Sequence, residues 1–250
     1  MKLTKSRLLG AVCAVWLGAA IQPAAAAPTI VSTVPSWNGS SSIGDFGSSG
    51  FSAWGQTVTT PTGTNRLLDF TFYLSDAIQG TTTIDGAPIT PVPVEFQAHV
   101  VEFSLATRTL VGPVLYTSDP VTVPVTSGTE FNPYTFSTDI AVDAGSTYLL
   151  FLFANNYELT IPDDSRLRMA SPNANVYGGG SYAIHFPADG DFNSLFSGSW
   201  SGGLGVGSDL AFSATFDEVA VAEPGTLAIL GLGLAALGVN RRRTARLRSR

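Results

Sequence analysis

An acidic loop late in the chain has the spacing of a cation-binding motif. Asp189, Asp191 and Asn193 stand at alternate positions, as at the start of a calcium loop whose side-chain oxygens coordinate the ion. The EF-hand pattern then fails, because Ser194 stands where glycine is needed and Trp200 where glutamate is needed. The loop therefore predicts either a calcium site of another kind or a plain Asx turn. No other metal or cofactor is predicted.

The remaining residues that could do chemistry lack a catalytic pattern. His99 and His185 each alternate with apolar residues, which favours a surface or cross-strand position. The segment 198–202 resembles a nucleophile elbow but has Trp200 in place of serine. No zinc-ligand spacing of histidine or cysteine is present in the sequence. Paired carboxylates of a glycoside hydrolase remain an open alternative, but we predict no catalytic residues and no enzyme.

Four aromatic residues, which we predict to lie on exposed loops, could instead form a platform that stacks on sugar rings. These are Trp37, Trp54, Tyr177 and Trp200. Aromatic side chains of β-sandwich proteins stack on carbohydrate in some cases, but they more often belong to the core. A carbohydrate-binding module is therefore an alternative function.

Alternating apolar residues predict that β-strands position these side chains. The clearest examples are 68–74, 96–100, 182–186 and 210–216. The run 148–153 is continuously apolar, which predicts a central strand buried on both faces. A Gly/Ser-rich segment at 36–50 predicts a loop. We predict an all-β fold, a two-sheet antiparallel sandwich of jelly-roll type, over residues 27–218.

The charge of this predicted sandwich excludes one class of partner. Residues 28–222 contain four arginines, no lysine and eighteen acidic residues, which gives a net charge of −14. The whole chain has a net charge of only −6, because the two ends hold the other nine basic residues. A surface this acidic repels nucleic acid and anionic polysaccharide. We predict no nucleic-acid partner, and extracellular polysaccharide as a possible ligand.

The first 26 residues predict a secretory signal peptide with its own helix. Lys2, Lys5 and Arg7 form a basic segment, residues 8–21 are apolar, and 24–26 supply small residues for signal peptidase. Cys13 is the only cysteine, and it lies inside this segment. A lipoprotein is not favoured, because too few apolar residues precede it. After cleavage the exported protein has no cysteine, so its core alone must stabilise it.

The last residues, 219–250, predict a membrane-anchoring tail. The uncharged stretch Thr226–Val239 has fourteen residues, which as a helix covers roughly 21 Å of a hydrocarbon core about 30 Å thick. Arg241, Arg242 and Arg243 follow it and predict a stop-transfer flank on the cytoplasmic side. Their long side chains can reach the interface and extend the span. A single C-terminal transmembrane helix is therefore predicted.

This tail resembles the PEP-CTERM sorting signal of Gram-negative bacteria. The resemblance lies in Glu223-Pro224, the apolar run and the arginine run, while Ala222 stands where the family has its first proline. It implies that Ala222, Glu223 and Pro224 form the sorting motif and that an exosortase is the processing partner. It also implies cleavage near the motif and transfer of the exported part to the cell surface or extracellular matrix.

Residues between the two ends resemble recurrent exported PEP-CTERM proteins, and that resemblance implies no activity. It rests on Gly55-Gln56, Gly112-Pro113, 178–180, Trp200 and 209–212. The sequence therefore predicts an exported, non-catalytic protein of the cell envelope or extracellular matrix. The alternatives are a carbohydrate-binding module and a secreted hydrolase.

Overall fold

Extended segments make up nearly all regular structure in the described part of the chain. The computed structural model describes residues 27–47, 51–76, 93–126, 130–154, 165–186, 191–203 and 208–218, the backbone of 78–79, 83–84 and 87–88, and the helical Gly231 and Gly233. The strands are β1 (Thr29–Ser32), β2 (Ser42–Gly47), β3 (Ala53–Thr59), β4 (Arg66–Ser75), β5 (Ile78–Gln79), β6 (Thr83–Ile84), β7 (Ala87–Pro88), β8 (Val94–Ser104), β9 (Thr109–Thr117), β10 (Val121–Val123), β11 (Phe131–Ala141), β12 (Thr147–Ala154), β13 (Ser165–Ala170), β14 (Tyr182–His185), β15 (Ser201–Gly202) and β16 (Phe212–Asp217). Two short 3₁₀ helices lie at Val34–Ser36 and Phe192–Phe196.

The strands form two antiparallel sheets of seven strands and a separate hairpin of β6 and β7. The first sheet runs β1-β16-β4-β13-β2, with β11 also paired to β4 and β5 paired to β13. The second sheet runs β10-β8-β12-β3-β14-β15, with β9 also paired to β8. The prediction of a two-sheet antiparallel sandwich is confirmed.

The main core lies between the two sheets and follows the predicted alternation. Phe70, Phe72 and Leu74 of β4 are fully buried, and so are Phe96, Ala98 and Val100 of β8. Rings from the two sheets meet there, with Phe70 against Tyr116 and Phe96 against both Phe46 and Tyr134. Aromatic side chains bury large areas, and edge-to-face contacts add about 1 kcal/mol per pair beyond that burial.

The prediction for β12 is confirmed in detail. This strand pairs with β3 on one edge and with β8 on the other. Residues 148–154 are all buried, whichever face they point to. The continuous apolar run therefore reflects cover on both faces of the second sheet.

Two details of the predicted strands are wrong. Leu67, not Leu68, enters the core, because the register of β4 shifts against both β11 and β16 near this position. The predicted loop at 36–50 contains the strand β2, which pairs with β13. Its glycine content has a packing reason, since a Cβ atom at Gly44 would come within 2.6 Å of the Trp54 ring.

A second apolar cluster covers the outer face of the second sheet. It joins Leu149, Phe151 and Phe153 of β12 to Leu195 and Trp200. The last two belong to residues 191–203, which we call the strap. The outer face of the second sheet is therefore closed by the chain itself.

The described body belongs to one compact unit, Ala27–Val219, and residues 1–26 and 220–250 form a separate unit. The predicted signal helix and nearly all of the predicted tail lie outside the described residues. Among the residues that are described, no helix combines the length and the apolar character that crossing a membrane requires.

Candidate functional site

The strap begins with the acidic loop that the sequence predicts as a calcium site. Asp191 caps the second 3₁₀ helix, and its Oδ1 atom accepts hydrogen bonds from the Asn193 backbone N–H at 3.0 Å and from Asn193 Nδ2 at 3.1 Å. This is the geometry of an Asx turn. Asp189 lies outside the described residues. Within the described ranges no group of three or more candidate ligands converges, and calcium binding here stays a prediction.

His99 lies beneath the strap and is almost fully buried, so of the two predicted positions, surface or cross-strand, it takes the cross-strand one. Its ring contacts both Phe151, at a centroid distance of 5.1 Å, and Phe192, at 4.6 Å, and these two rings also stack on each other at 6.3 Å. The predicted cross-strand contact is present, because Nδ1 lies 3.1 Å from the Thr117 hydroxyl on β9. The Nε2 atom is buried without a hydrogen-bond partner. Burial in this apolar site lowers the pKa of His99 to about 4.

His185 lies beneath the other end of the strap, beside Trp200 at 5.4 Å. A Cβ atom at Gly198 would come within 2.0 Å of its Nε2 atom, so a larger residue where the strap crosses this ring would displace the imidazole. Burial lowers the pKa of His185 as well. Both histidines therefore pack against aromatic rings, and among the described residues no hydrogen bond joins either ring to a carboxylate that would orient it as a catalytic base.

A buried polar network joins the residues that carry the resemblance to exported proteins. The Asp209 carboxylate is fully buried, and Oδ2 accepts hydrogen bonds from the backbone N–H groups of Val176 and Tyr177, both at 2.8 Å. Its Oδ1 atom accepts from Gln56 Nε2 at 2.9 Å. Gln56 Oε1 in turn accepts from the Leu210 N–H at 2.9 Å. Every one of these polar groups is used internally, so the network holds loop 171–181 to the sandwich.

The glycines beside this network have a related role. A Cβ atom at Gly180 would lie 1.7 Å from the Thr57 carbonyl oxygen, and one at Gly55 would lie 2.5 Å from that of Leu150. The backbone of 179–181 lies directly against the backbone of β3, because the Thr57 N–H donates to the Ser181 carbonyl at 2.9 Å. Several of the residues on which the resemblance to exported proteins rests are therefore explained by close packing around this network.

A cleft that the sequence does not predict lies where β9 faces the turn between β11 and β12. Its volume is about 270 Å³. Glu102, Asp143 and Tyr148 supply its polar groups, and the Tyr148 hydroxyl accepts a hydrogen bond from the Asp143 N–H at 2.9 Å. Burial, and next the two carboxylates, raise the pKa of Tyr148. The apolar lining comprises Val111, Pro113, Leu115, Ala141 and Val142.

The four aromatic residues predicted as a sugar platform are not brought together. Trp54 and Trp200 are buried, at 2% and 1% exposure, so the prediction that they lie on exposed loops is wrong. Trp37 instead contacts Tyr73 at 5.3 Å and Phe131 at 5.4 Å. These three rings, which we call the aromatic group, are all partly exposed. They lie on the outer face of the first sheet.

Sequence reasoning missed the partners of Trp37, because Tyr73 and Phe131 lie on different strands. The alternation of β4 does place Tyr73 opposite the core residues. The register of β11 against β4 then sets Phe131 beside Ser75 and Pro133 beside Tyr73. Only the pairing of β4 with β11, which the sequence alone does not give, shows that the three rings come together.

Comparison with known proteins concerns the tail alone. Residues 220–243 match the family described as the PEP-CTERM protein-sorting motif. No curated protein matches the chain. The matched stretch includes Ala222, Glu223 and Pro224, together with Arg241, Arg242 and Arg243, all of which lie outside the described residues. The chain carries a PEP-CTERM sorting motif behind a β-sandwich body, which indicates a membrane-anchored exosortase substrate that is exported to the cell surface.

Proposed function

We propose that this chain is a non-catalytic protein of the cell envelope or extracellular matrix, released or attached there after exosortase processing. The observation that carries the proposal is the sorting motif at residues 220–243. The acidic body supports it, because a strongly charged domain stays dispersed outside the cell. The buried network of Gln56 and Asp209 supports the non-catalytic role too, because these enclosed polar groups bond to one another and to the backbone of a loop instead of facing a substrate.

The partners in this function follow from the two ends of the chain. Signal peptidase removes residues 1–26, and the membrane holds the tail until exosortase acts at Glu223-Pro224. Arg241, Arg242 and Arg243 remain on the cytoplasmic side, because arginine resists translocation.

The test replaces the acid of the motif and follows the fate of the tail. The full-length chain and its Glu223→Ala variant are expressed in a Gram-negative host that has an exosortase. We expect the variant to keep its tail and to stay in the membrane fraction, while the parent reaches the surface without its apolar and arginine-rich tail. Mass spectrometry of both fractions reads the C-terminus.

Glu218→Ala is the matched control, because Glu218 is an exposed acid just outside the motif. It should be processed like the parent. Surface delivery and tail loss of Glu223→Ala at the parent's rate would remove the sorting assignment.

A carbohydrate-binding module is the second candidate function, and the aromatic group of Trp37, Tyr73 and Phe131 favours it. Partly exposed rings on an open sheet face can stack on the C–H groups of sugars. A protein that stays in a polysaccharide matrix would use such contacts, so the two candidates are compatible.

A secreted hydrolase is the third candidate, and the cleft of Glu102 and Asp143 is where it would be tested. Two carboxylates are the groups that glycoside hydrolysis requires. Both are exposed here. Hydrolysis of a neutral glycan by the parent but not by Glu102→Gln would establish an enzyme in place of the non-catalytic role.

A further inference from the structure

The two outer faces of the sandwich differ in what covers them. The strap closes the outer face of the second sheet with apolar side chains such as Leu195 and Trp200. On the first sheet, by contrast, Thr135, Ser137 and Ser32 are exposed at corresponding positions. These exposed side chains are open to a ligand, whereas Thr71, in the row between Thr135 and Ser32, is buried.

Hydroxyl groups form a continuous row across four neighbouring strands of this face. The register pairs Thr135 with Thr71, Thr71 with Ser213, and Ser213 with Ser32. Neighbouring strands are about 4.8 Å apart, so the row spans roughly 14 Å. The Thr71 and Thr135 hydroxyls are 2.8 Å apart and bond to each other. A hydroxyl has one donor and two acceptor sites, so the exposed Thr135 keeps capacity for a further partner. Thr71 is only 7% exposed and serves as the partner that orients the Thr135 hydroxyl.

The next row has three polar residues, one of them an acid, and ends at the exposed apolar Ile30. It consists of Ser137, Asp69, Thr215 and Ile30. Thr215 donates to Asp69 Oδ1 at 2.9 Å. No cationic side chain stands in either row, and the body around them is acidic. These rows therefore complement an uncharged hydroxylated ligand better than an anionic one.

The aromatic group lies at one end of the hydroxyl rows, and its loop is held rigidly. Trp37 Nε1 donates to the Ser41 carbonyl at 2.8 Å. Asn38 Oδ1 accepts from the N–H groups of Ser40 at 2.9 Å and Ser41 at 2.8 Å. Gly39 supplies the positive φ of +82° that the turn requires. A ring fixed before binding loses little conformational entropy when a ligand stacks on it.

We propose that the outer face of the first sheet binds a chain of uncharged polysaccharide. Trp37 with Tyr73 and Phe131 stacks on one sugar ring, and the accessible hydroxyls of the row, those of Thr135 and Ser213, bond to the sugars that follow. Ser32 Oγ is already used, because it donates to the Phe212 carbonyl at 3.0 Å and accepts from the Val34 N–H at 3.2 Å. This inference rests on the proposed function, for which it names the ligand and its site. Anionic polysaccharide is disfavoured by the charge of the body, although Arg168 is exposed on the nearby strand β13.

The test measures binding of the full-length protein in detergent to defined polysaccharides. The uncharged probes are cellulose, galactomannan and a β-1,3-glucan, and polygalacturonate is the anionic probe. We expect the parent to bind at least one uncharged probe. Trp37→Ala should weaken that binding about tenfold, which corresponds to a loss of about 1.4 kcal/mol of stacking. Trp37→Phe should keep most of it.

Two further variants separate binding from folding. Thr135→Arg places a long side chain across the hydroxyl row from an exposed position, so it should abolish binding. Loss of the hydrogen bond to Thr71 should lower the melting temperature only slightly, and a folded variant that does not bind is the expected result. Phe186→Ala is the matched control, because Phe186 is 48% exposed and follows β14 of the second sheet. It should bind like the parent.

Several results would overturn the inference. These are absence of binding to all three uncharged probes, equal binding by the parent and Thr135→Arg, and binding only to polygalacturonate that Arg168→Ala removes. A dimer that Thr135→Arg dissociates would show that a second copy covers this face instead. In each case normal loss of the tail would leave the proposed sorting function intact, so the two failures are distinguishable.

Discussion

The charge of Asp209 is held by neutral N–H donors in the interior. Three donors contact its two oxygens, two from the backbone of 176–177 and one from Gln56. Hydrogen bonds to a charged group contribute about 1.5–3 kcal/mol each, and a buried donor that loses its acceptor costs a similar amount. This single carboxylate therefore fixes a loop that has little apolar surface of its own.

Replacement of Asp209 by asparagine should lower the free energy of unfolding by about 2 kcal/mol. The amide keeps one acceptor, but its –NH₂ group must face either the two backbone N–H groups or the Gln56 donor. Urea unfolding at neutral pH measures the loss.

Asp119→Asn is the control for the loss of one negative charge, since Asp119 is exposed. We expect it to change stability by less than about 0.5 kcal/mol. Equal stability of Asp209→Asn and the parent would show that the network contributes nothing.

His99 predicts how stability depends on pH. Its pKa is about 4 in the fold, below the ordinary 6.5, so the fold favours the neutral ring. Its contribution is complete above pH 6.5 and is lost as pH falls toward 4, by about 1.4 kcal/mol per pH unit and about 3 kcal/mol in all. His99→Phe, which cannot be protonated, should lose less stability over this range. The pH dependence of urea midpoints for the two proteins measures the difference, and parallel curves would contradict the assignment.

Single residues show where sequence reasoning ends. Asp209 precedes a buried run and Gln56 interrupts one, so each could be recognised as a polar residue in an apolar strand. Their hydrogen bond to each other could not be recognised, because it joins β3 to the segment before β16. The burial of His99 depends in the same way on the strap, which is distant in sequence.

At the scale of elements, loop 171–181 behaves as an extra strand beside β3. Thr57 N–H donates to Ser181 O at 2.9 Å, and Thr59 N–H donates to Gly179 O at 3.1 Å. Such a close backbone approach has no room for a Cβ atom at Gly180. At Gly178 the structure has open space within 4 Å and no positive φ.

Two alanine substitutions two residues apart should therefore differ sharply. Gly180→Ala should destabilise the fold by about 2–3 kcal/mol, because the Thr57 carbonyl cannot move without breaking the sheet. Gly178→Ala should change stability by less than about 0.5 kcal/mol. Thermal unfolding of both compares them directly, and similar melting temperatures would mean that the loop does not pack as described.

The elements that sequence predicted well are those whose burial follows from their own pattern. β12 and β16 can be predicted without knowing their neighbours. The continuous apolar run of β12 indicates burial on both faces, and the strict alternation of β16 indicates burial on one. β2 was missed because its glycines and serines are typical of loops. Its strand conformation depends on pairing with β13 and on contact with Trp54.

At the scale of the whole molecule, the acidic body predicts a response to cations. Calcium that binds the acidic loop of the native state should stabilise it by roughly 2.7 kcal/mol at a hundredfold excess over the dissociation constant. Magnesium and sodium chloride of equal ionic strength should give smaller increases in melting temperature, by screening alone.

Asp191→Ala tests whether calcium binds at this loop. In this variant the increase in melting temperature caused by calcium should fall to the increase caused by magnesium. Only shifts are compared, because loss of the cap at Asp191 lowers the starting stability by itself. Equal shifts in the three salts, or an unchanged calcium shift in the variant, would leave unspecific screening as the whole effect.

The pairing of β1 with β16 also sets the timing of folding. β1 is an edge strand whose pairing partner is β16, with Thr29 opposite Phe216. The exported chain emerges from its N-terminus onward. β1 therefore crosses the membrane first but cannot pair until β16, the last strand, has crossed. Contacts this distant in sequence form slowly. The sandwich therefore cannot close until nearly its whole length has crossed the membrane, and completion of the fold coincides with arrival of the sorting motif.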